Sequence, residues 1–345
     1  MDLANLANPS ALLGLAALLA SGAALYLAAL TLFTLAGLRK PRRRTYAYAV
    51  ARGIPGEPAE LDRPAPFETI PISTGPITTD RLSAQRTVNA WSITGDNPKG
   101  PTIIATHGWG ASRIDMLSRF EALRPHASRV ILWDLPGHGE SPGACTLGAR
   151  EPDALLRVIQ TIARGSDDTP AHIVLYGYSL GAEVTLKAIA QLDRTDFDQT
   201  DLDRSVIEGV ILEAPYRHGI TPARAVLAAS GFPRLLNLPL AMGLGSLLNR
   251  QPPNERWHDL AARYAEPLAG PLALPLLVIH GDADTISPPA DGEAIAQAGR
   301  GTLTMVPDAG HKDLFTHNAP TRPEIATSLT NYFRNLTESR TPLCH

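Results

Sequence analysis

The sequence predicts an α/β protein, with a mostly parallel central sheet covered by helices on both faces and one membrane-spanning helix in front of it. Continuous apolar runs alternate with amphipathic segments through most of the chain, as in a parallel sheet buried on both faces. Reactive side chains directly follow several of these runs, and ligands of such sheets bind at the carboxyl ends of the strands. A long uncharged stretch near the N-terminus predicts the membrane helix.

That uncharged stretch is dominated by alanine and leucine over residues 11–38, and no charged residue lies between Asp2 and Arg39. About 20 apolar residues suffice to cross a bilayer. A cleaved signal peptide is the alternative, but such peptides carry basic residues before a shorter apolar run. Here the basic residues follow, at positions 39, 40 and 42–44. We therefore assign residues 1–40 to a single-pass anchor, and the basic flank predicts that the folded domain lies on the cytoplasmic side.

Residues 41–66 contain five prolines and no apolar period, which predicts a linker rich in proline and arginine. The folded domain is expected at residues 67–340. Its first two strands, at 69–72 and 88–93, are separated by polar residues and are predicted to pair antiparallel. Six further strands are predicted at 102–106, 129–133, 173–176, 206–212, 276–279 and 302–306. Helices are predicted at 114–123, 153–163, 180–192 and 290–298, and from about 323 to 336.

Residues 216–271 interrupt the alternation of strands and helices. They include a stretch rich in leucine, alanine and methionine at 235–248. We interpret the segment as a short lid or substrate-binding insertion. One helix with a long loop is the alternative.

Composition excludes several classes of function. The formal net charge is −3 and no part of the folded domain is strongly basic, so we expect no nucleic-acid partner. The two cysteines, Cys145 and Cys344, form neither a disulfide framework nor a metal-ligand spacing, and no metal is predicted. The sequence also lacks the glycine-rich loops that bind nucleotide phosphates, so no cofactor is expected.

The most informative motif is Gly177-Tyr178-Ser179-Leu180-Gly181, which follows a predicted strand and precedes a predicted helix. That context is typical of a sharp turn that raises a nucleophilic serine above the sheet edge. The motif therefore predicts Ser179 as the nucleophile. The amide of Leu180 begins the helix, where an oxyanion is favoured, and is predicted to be one half of the oxyanion hole.

A serine hydroxyl needs a base, and a histidine base needs an acid that fixes its tautomer. His311 follows the last predicted strand on a glycine-containing loop and is the predicted base, whereas His317 and His345 lack that setting. Asp284 follows the preceding strand and is the predicted acid. Its rivals are Asp282, beside it, and Glu213, after an earlier strand.

The second half of the oxyanion hole is predicted in the loop His107-Gly108-Trp109-Gly110, which follows an early strand. We assign it to the amide of Trp109, because the flanking glycines allow a close approach of the backbone.

Together these motifs resemble the α/β-hydrolase superfamily. Residues 134–141 are similar to its D-x-P-G-H-G-x-S turn, and the serine, acid and histidine stand in the order of that superfamily. The resemblance covers about residues 67–336 and is nearest to the serine aminopeptidase, acylglycerol lipase and Bem46-like branch. Ala182 and Lys312 depart from the residues that relatives often carry there.

The resemblance implies a serine hydrolase that cleaves a small-molecule or lipid-like carboxylic ester or thioester through an acyl-enzyme, and the N-terminal stretch predicts that this hydrolase is anchored to a membrane. An aminopeptidase or an acyltransferase with the same triad is the first alternative. A catalytically inactive, membrane-tethered scaffold is the second.

Overall fold

Strands from both halves of the chain form one central sheet. A computed structural model describes residues 9–74, 87–165, 172–192, 204–229, 236–251, 258–270, 273–317 and 319–340. Its strands are β1 (Phe67–Ser73), β2 (Thr87–Thr94), β3 (Thr102–Thr106), β4 (Arg129–Trp133), β5 (Ile173–Tyr178), β6 (Ile207–Glu213), β7 (Leu276–Gly281) and β8 (Thr302–Val306). They are ordered β1-β2-β4-β3-β5-β6-β7-β8. The pairs β1–β2 and β2–β4 are antiparallel, and all later pairs are parallel.

Helices cover both faces of this sheet. The described helices are α1 (Pro9–Arg39), α2 (Tyr46–Arg52), α3 (Leu117–Leu123), α4 (Glu151–Arg164), α5 (Leu180–Leu192), α6 (Ile220–Ala229), α7 (Asn237–Leu248), α8 (Pro289–Ala298) and α9 (Pro323–Arg340). Side chains of α3 and α9 pack in one core cluster, and those of α4, α5 and α8 in another. Neighbours on β3 divide accordingly, with Ile103 in the first cluster and Ile104 in the second. The predicted fold class is confirmed.

One predicted helix begins later than its apolar pattern indicated. The prediction started at Ile114, but α3 begins at Leu117. The Asp115 carboxylate accepts hydrogen bonds from the amide, at 2.9 Å, and the hydroxyl of Ser112. These bonds hold a turn just before the helix, and such side-chain bonding competes with helical geometry.

The first helix has two parts with different environments. It is long and apolar enough to cross a membrane by length and composition. Residues 9–30 are largely exposed, whereas Thr31, Thr34, Leu35 and Leu38 are buried. At about 1.5 Å per residue, residues 9–30 alone extend over roughly 33 Å, comparable to the apolar thickness of a bilayer. The last turns therefore remain available to pack on the folded domain.

The predicted lid contains α6 and α7, together with a wide helical turn over Ala261–Ala265 and a 3₁₀ turn over Glu266–Ala269. Residues 230–235, 252–257 and 271 of that segment lie outside the described residues. Helix α7 packs along the end of α1, where the side-chain amide of Asn237 donates to the hydroxyl of Thr34 over 2.8 Å. Leu38 joins Leu238 and Met242 in a small apolar cluster. The end of the apolar helix thus packs against the predicted lid.

Residues 41–66, predicted as a linker, carry more structure than a linker requires. They contain α2 and a 3₁₀ turn at Pro58–Glu60. Ala49, Leu61 and Ala65 are buried in one of the two main core clusters. The segment lacks an apolar period because only a few isolated side chains face the domain, so sequence periodicity did not reveal the packing.

Candidate active site

The turn between β5 and α5 holds Ser179 in a strained conformation. Its φ angle is +53°, in the left-handed region that non-glycine residues rarely occupy. Only glycine fits at the two flanking positions, because any side chain there would clash with the backbone. A Cβ at Gly177 would lie 2.5 Å from the carbonyl oxygen of Gly181, and one at Gly181 would lie 2.1 Å from that of Thr106. The motif therefore forces the chain through a tight turn and presents the serine at the carboxyl edge of the sheet.

Three side chains that are far apart in the sequence meet at this edge. The Ser179 hydroxyl lies 3.0 Å from Nε2 of His311, and Nδ1 of His311 lies 2.7 Å from Oδ2 of Asp284. All three residues are buried. A carboxylate only accepts hydrogen bonds, so Nδ1 carries the proton and the Nε2 lone pair faces the serine. This is the arrangement of a hydroxyl, a base and an orienting acid.

The Asp284 carboxylate is held from several sides. Its Oδ1 accepts the amides of Ile286, at 2.8 Å, and Ser287, at 2.9 Å. Nε2 of buried His280 lies 3.3 Å from Oδ2 and 2.9 Å from the carbonyl oxygen of Ser287. Burial opposes ionisation, but the hydrogen bonds from His280 and His311 outweigh it, and the pKa of Asp284 lies below its ordinary value. The carboxylate therefore stays charged through the neutral range.

His280 had no role in the sequence prediction, although it directly follows the apolar run at 276–279. The signal that could have found it is its position at a strand end, four residues before the candidate acid.

Neither rival of Asp284 contacts the imidazole of His311. Glu213 is buried and accepts two bonds from the guanidinium of Arg119, at 2.6 and 3.0 Å, and one from Tyr176 at 2.5 Å. Its acceptor capacity is thereby engaged away from the histidine. Asp282 is exposed beside the loop.

Tyr178 connects the Glu213 network to the histidine loop. Its hydroxyl donates to the carbonyl oxygen of His311 over 3.0 Å, and the guanidinium of Arg119 lies 4.7 Å from its ring centre. Burial raises the pKa of the Tyr178 hydroxyl, so it remains a donor at neutral pH.

The predicted oxyanion loop is oriented by His107. Its Nε2 accepts the amide of Leu135 at 3.0 Å, so Nδ1 carries the proton and donates to the carbonyl oxygen of Gly108 over 2.8 Å. In a trans peptide the N–H points opposite to the C=O, so the amide of Trp109 points away from His107. Burial lowers the pKa of His107 to about 4, which keeps this neutral tautomer at pH 7.

The turn at residues 134–141 is built around Asp134. The buried carboxylate forms a 2.7 Å ion pair with Arg113 and also accepts the amides of Arg113 and Glu140. A Cβ at Gly139, whose φ is +46°, would lie 2.3 Å from that carboxylate. These contacts support the loop that contains His107 but do not reach Ser179.

Two cavities open at Ser179. The smaller one, about 50 Å³, is apolar. Its wall includes the indole of Trp109, Leu147, Leu38 of the first helix, and four residues of the predicted lid: Tyr216, Ala223, Val226 and Met242. The indole N–H of Trp109 donates to the carbonyl oxygen of Leu38 over 2.9 Å. The larger cavity, about 680 Å³, contains His311 in its wall.

Among the described residues, no group of three or more histidine, cysteine, aspartate or glutamate side chains could hold a metal ion.

Comparison with known proteins agrees with this architecture. The sequence model of the alpha/beta hydrolase family matches residues 103–323, more than half of the chain. The chain belongs to this family. Uncharacterized protein YfhR of Escherichia coli O157:H7 is 25% identical to it over 217 residues, and the match spans 62% of this chain and 64% of YfhR, less than two thirds.

Two further relatives bear names that describe ester cleavage. The pimeloyl-acyl-carrier-protein methyl ester esterase of Methylococcus capsulatus is 30% identical over 251 residues, which cover 65% of this chain and 92% of that protein. An esterase structure from Pyrococcus furiosus has a TM-score of 0.57 at 18% identity, and the superposition covers 87% of this chain and 96% of that one. At that identity the structural likeness shows the fold alone.

Proposed function

We propose that this alpha/beta hydrolase is a serine hydrolase of carboxylic esters, with Ser179 as nucleophile, His311 as general base and Asp284 as orienting acid. The observation that carries the proposal is the continuous chain of hydrogen bonds from the Ser179 hydroxyl through His311 to Asp284, beside an apolar cavity. The esterase name of the Methylococcus capsulatus relative supports an ester substrate.

Each of the three side chains has a role in the proposed hydrolysis. Ser179 attacks the ester carbonyl while Nε2 of His311 takes its proton. Asp284, already ionised, stabilises the imidazolium that forms. His311 then returns the proton to the leaving alcohol, and water cleaves the acyl-enzyme by the same exchange.

We propose that the backbone amides of Leu180 and Trp109 donate hydrogen bonds to the carbonyl oxygen on which negative charge develops. Leu180 is the first residue of α5, and amides of a first helical turn have no partner within the helix. The Trp109 amide is aimed by the bond between His107 and Gly108. Two such donors are the usual composition of an oxyanion hole.

We further propose that α1 is an uncleaved, single-pass membrane anchor, with the catalytic domain on the cytoplasmic side. Its exposed residues 9–30 and the basic residues that follow support this. The packing of Thr34 and Leu38 against the lid supports retention over cleavage as a signal peptide, because cleavage after the apolar stretch would remove a wall of the smaller cavity.

Placement within the serine aminopeptidase, acylglycerol lipase and Bem46-like branch stays a prediction of the sequence motifs.

The size of the apolar cavity supports a compact acyl group, because about 50 Å³ holds on the order of one or two water-sized groups.

The experiment uses the full-length protein in detergent. A fluorophosphonate probe should label it, and p-nitrophenyl acetate and butyrate should be hydrolysed faster than the octanoate. Ser179→Ala should abolish labelling and hydrolysis, and Ser339→Ala, at the far end of α9, is the matched control. An unlabelled wild-type protein would favour the inactive scaffold. Faster turnover of alanine p-nitroanilide than of any ester would favour the aminopeptidase. Transfer of the acyl group to an added alcohol in preference to water would favour the acyltransferase.

A further inference from the structure

The larger cavity beside Ser179 has a basic wall. Its volume is about 680 Å³. Five arginines and one lysine lie in that wall, and Asp115 is the one carboxylate among its lining residues. The basic residues are Arg42, Arg43, Arg44, Arg52, Arg119 and Lys312.

Two of these cations are neutralised by partners. Arg44 pairs with Asp115, and Arg119 forms a buried ion pair with Glu213. Within the described part of the chain, none of the other four forms a salt bridge. Arg43 donates to the carbonyl oxygens of Gly139, at 3.2 Å, and Ser141, at 2.9 Å. Those acceptors are neutral, so the positive charge of Arg43 remains.

Arg43, Arg44 and Arg52 are held at the cavity by contacts and do not trail from α1. Arg43 is tied to the 134–141 turn by the two bonds just described. The guanidinium groups of Arg44 and Arg52 lie 5.2 and 5.3 Å, respectively, from the centre of the Tyr48 ring. Ala49, in the same short helix, is completely buried. A stop-transfer signal needs positive charge near the membrane but no such packing.

Lys312 reaches the same cavity from a different segment, directly after His311. Basic groups from two separate parts of the chain therefore converge on one concave surface. Charges of one sign in a cleft focus the electrostatic potential, and guanidinium groups match the oxygen geometry of phosphate.

The two cavities differ in which catalytic groups they contain. Ser179 lines both, but His311 lines only the larger one. The group that receives a proton from His311 is the leaving alcohol, so the alcohol belongs in the basic cavity. The acyl group then belongs in the apolar cavity, next to Trp109 and Leu180.

We propose that the substrate is a carboxylic ester of a phosphate-bearing alcohol, whose phosphate is bound by Arg42, Arg43, Arg52 and Lys312. The inference rests on the proposed ester hydrolysis. The Ser179 oxygen bonds to the acyl carbon, the bond from that carbon to the alcohol oxygen breaks, and His311 protonates the departing oxygen. Water then releases the acid. The phosphate is bound but takes no part in bond exchange.

The test compares two short-chain esters with the full-length protein in detergent: butyryl glycerol 3-phosphate and butyryl glycerol, which differ only by the phosphate. We expect kcat/KM to be about tenfold or more higher for the phosphorylated ester at low ionic strength, and this preference to fall as salt is added. Equal values for the two esters, or a preference that salt leaves unchanged, would overturn the proposal.

Substitutions in the larger cavity test whether its basic residues cause the preference for the phosphorylated ester. Arg52→Gln combined with Lys312→Gln should reduce the ratio between the two esters severalfold, whereas Arg52→Lys should keep most of it because the charge remains. Arg300→Gln is the matched control, since Arg300 is exposed and precedes β8 at the edge of the sheet opposite Ser179. A ratio that is unchanged in the double variant would also contradict the assignment.

Two further arms separate the remaining outcomes. Presenting the phosphate ester with a long acyl chain in phosphatidylcholine vesicles tests a lipid source against the soluble butyryl ester. The compact apolar cavity predicts slower turnover in the vesicles, which would identify a soluble source, whereas faster turnover would identify a lipid one. The preference between the two butyryl esters decides the subsite itself. If Ser179→Ala hydrolyses all the esters as fast as the wild type, the proposed function itself fails. If the wild type cleaves both esters equally and Ser179→Ala cleaves neither, only the phosphate subsite fails.

Discussion

His280 is a buried side chain that contacts the candidate acid without contacting the candidate base. Its Nε2 lies near both Asp284 and the carbonyl oxygen of Ser287, so it ties the carboxylate to its own loop. Within the described residues, Nδ1 of His280 has no hydrogen-bond partner. We interpret His280 as a positioning residue, which acts through Asp284 and not on the substrate.

We expect His280→Gln to lower kcat for p-nitrophenyl butyrate by about tenfold to a hundredfold, because a hydrogen bond to a charged group contributes about 1.5 to 3 kcal/mol. KM should change little, since the substrate cavities do not include His280. His126→Gln is the control, because His126 packs on Phe333 away from the site. A change in KM with kcat intact would show that the role of His280 is different.

His107 makes stability depend on pH. Its pKa is lowered from 6.5 to about 4 in the folded protein, chiefly by burial. Between those values the unfolded chain binds the extra proton, so the free energy of unfolding should fall as pH decreases from about 6.5 to about 4. The contribution of one such group is at most about 1.36 kcal/mol per pH unit.

We expect His107→Asn, which can still donate to Gly108, to reduce that pH dependence. Urea unfolding at several pH values between 4 and 7 would measure it. An identical slope in the variant would assign the pH dependence to other groups, such as His138, whose pKa burial lowers to about 3.

At the scale of elements, α6 and α7 determine the size of the acyl cavity. Val226 and Met242 project from these two helices into its wall. Removing their side-chain atoms would lengthen the space available beyond Ser179. Residues of both helices join Leu38, at the end of α1, in one apolar cluster, so a change in the size of the cavity also affects the packing of α1.

We expect Val226→Ala combined with Met242→Ala to shift the preferred p-nitrophenyl ester from acetate or butyrate towards hexanoate or octanoate, with a several-fold change in the ratio of kcat/KM values. Leu240→Ala is the matched control on α7, because Leu240 is 50% exposed and does not line the cavity. An unchanged chain-length profile in the double variant would place the acyl group elsewhere.

At the scale of the whole molecule, the apolar helix α1 and the hydrolase domain share structure. The end of α1 supplies Leu38 to the cavity wall and accepts the Trp109 indole bond at its carbonyl. The following arm packs into the core and carries the arginines of the larger cavity. If α1 and the following arm were only a tether, the hydrolase domain would be structurally complete without them.

Two truncations would separate anchoring from catalysis. Removing residues 1–30 should release the protein from membranes but keep most of the esterase activity, because the buried turns at 31–38 remain. Removing residues 1–44 should lower the melting temperature and reduce kcat/KM by about tenfold or more, since burying a leucine such as Leu38 contributes about 2 kcal/mol and the cavity loses its wall. Activity and thermal unfolding in one detergent would measure both, and equal behaviour of the two truncations would contradict this role of α1.

The sequence by itself determined the parts of this protein that depend on local pattern. Apolar runs of strand length and amphipathic helices predicted the sheet, because strands buried on both faces leave continuous apolar runs and helices buried on one face leave a periodic pattern. The pair Gly177 and Gly181 predicted the serine turn, since no other residue fits those close approaches. Ser179, Asp284 and His311 were selected by their places after strands, and the structure brings them within hydrogen-bond distance.

Contacts between individual side chains, near or far in the sequence, are visible only in the folded chain. The contacts of Leu38 with the lid, of His280 with Asp284 and of Arg43 with the 134–141 turn leave no periodic signal, because each depends on single side chains. The same holds for residues 41–66, where a few buried residues fix the segment. Local patterns report how a segment buries one face, whereas the pairing of segments is set by the shape and charge of surfaces that exist only after folding.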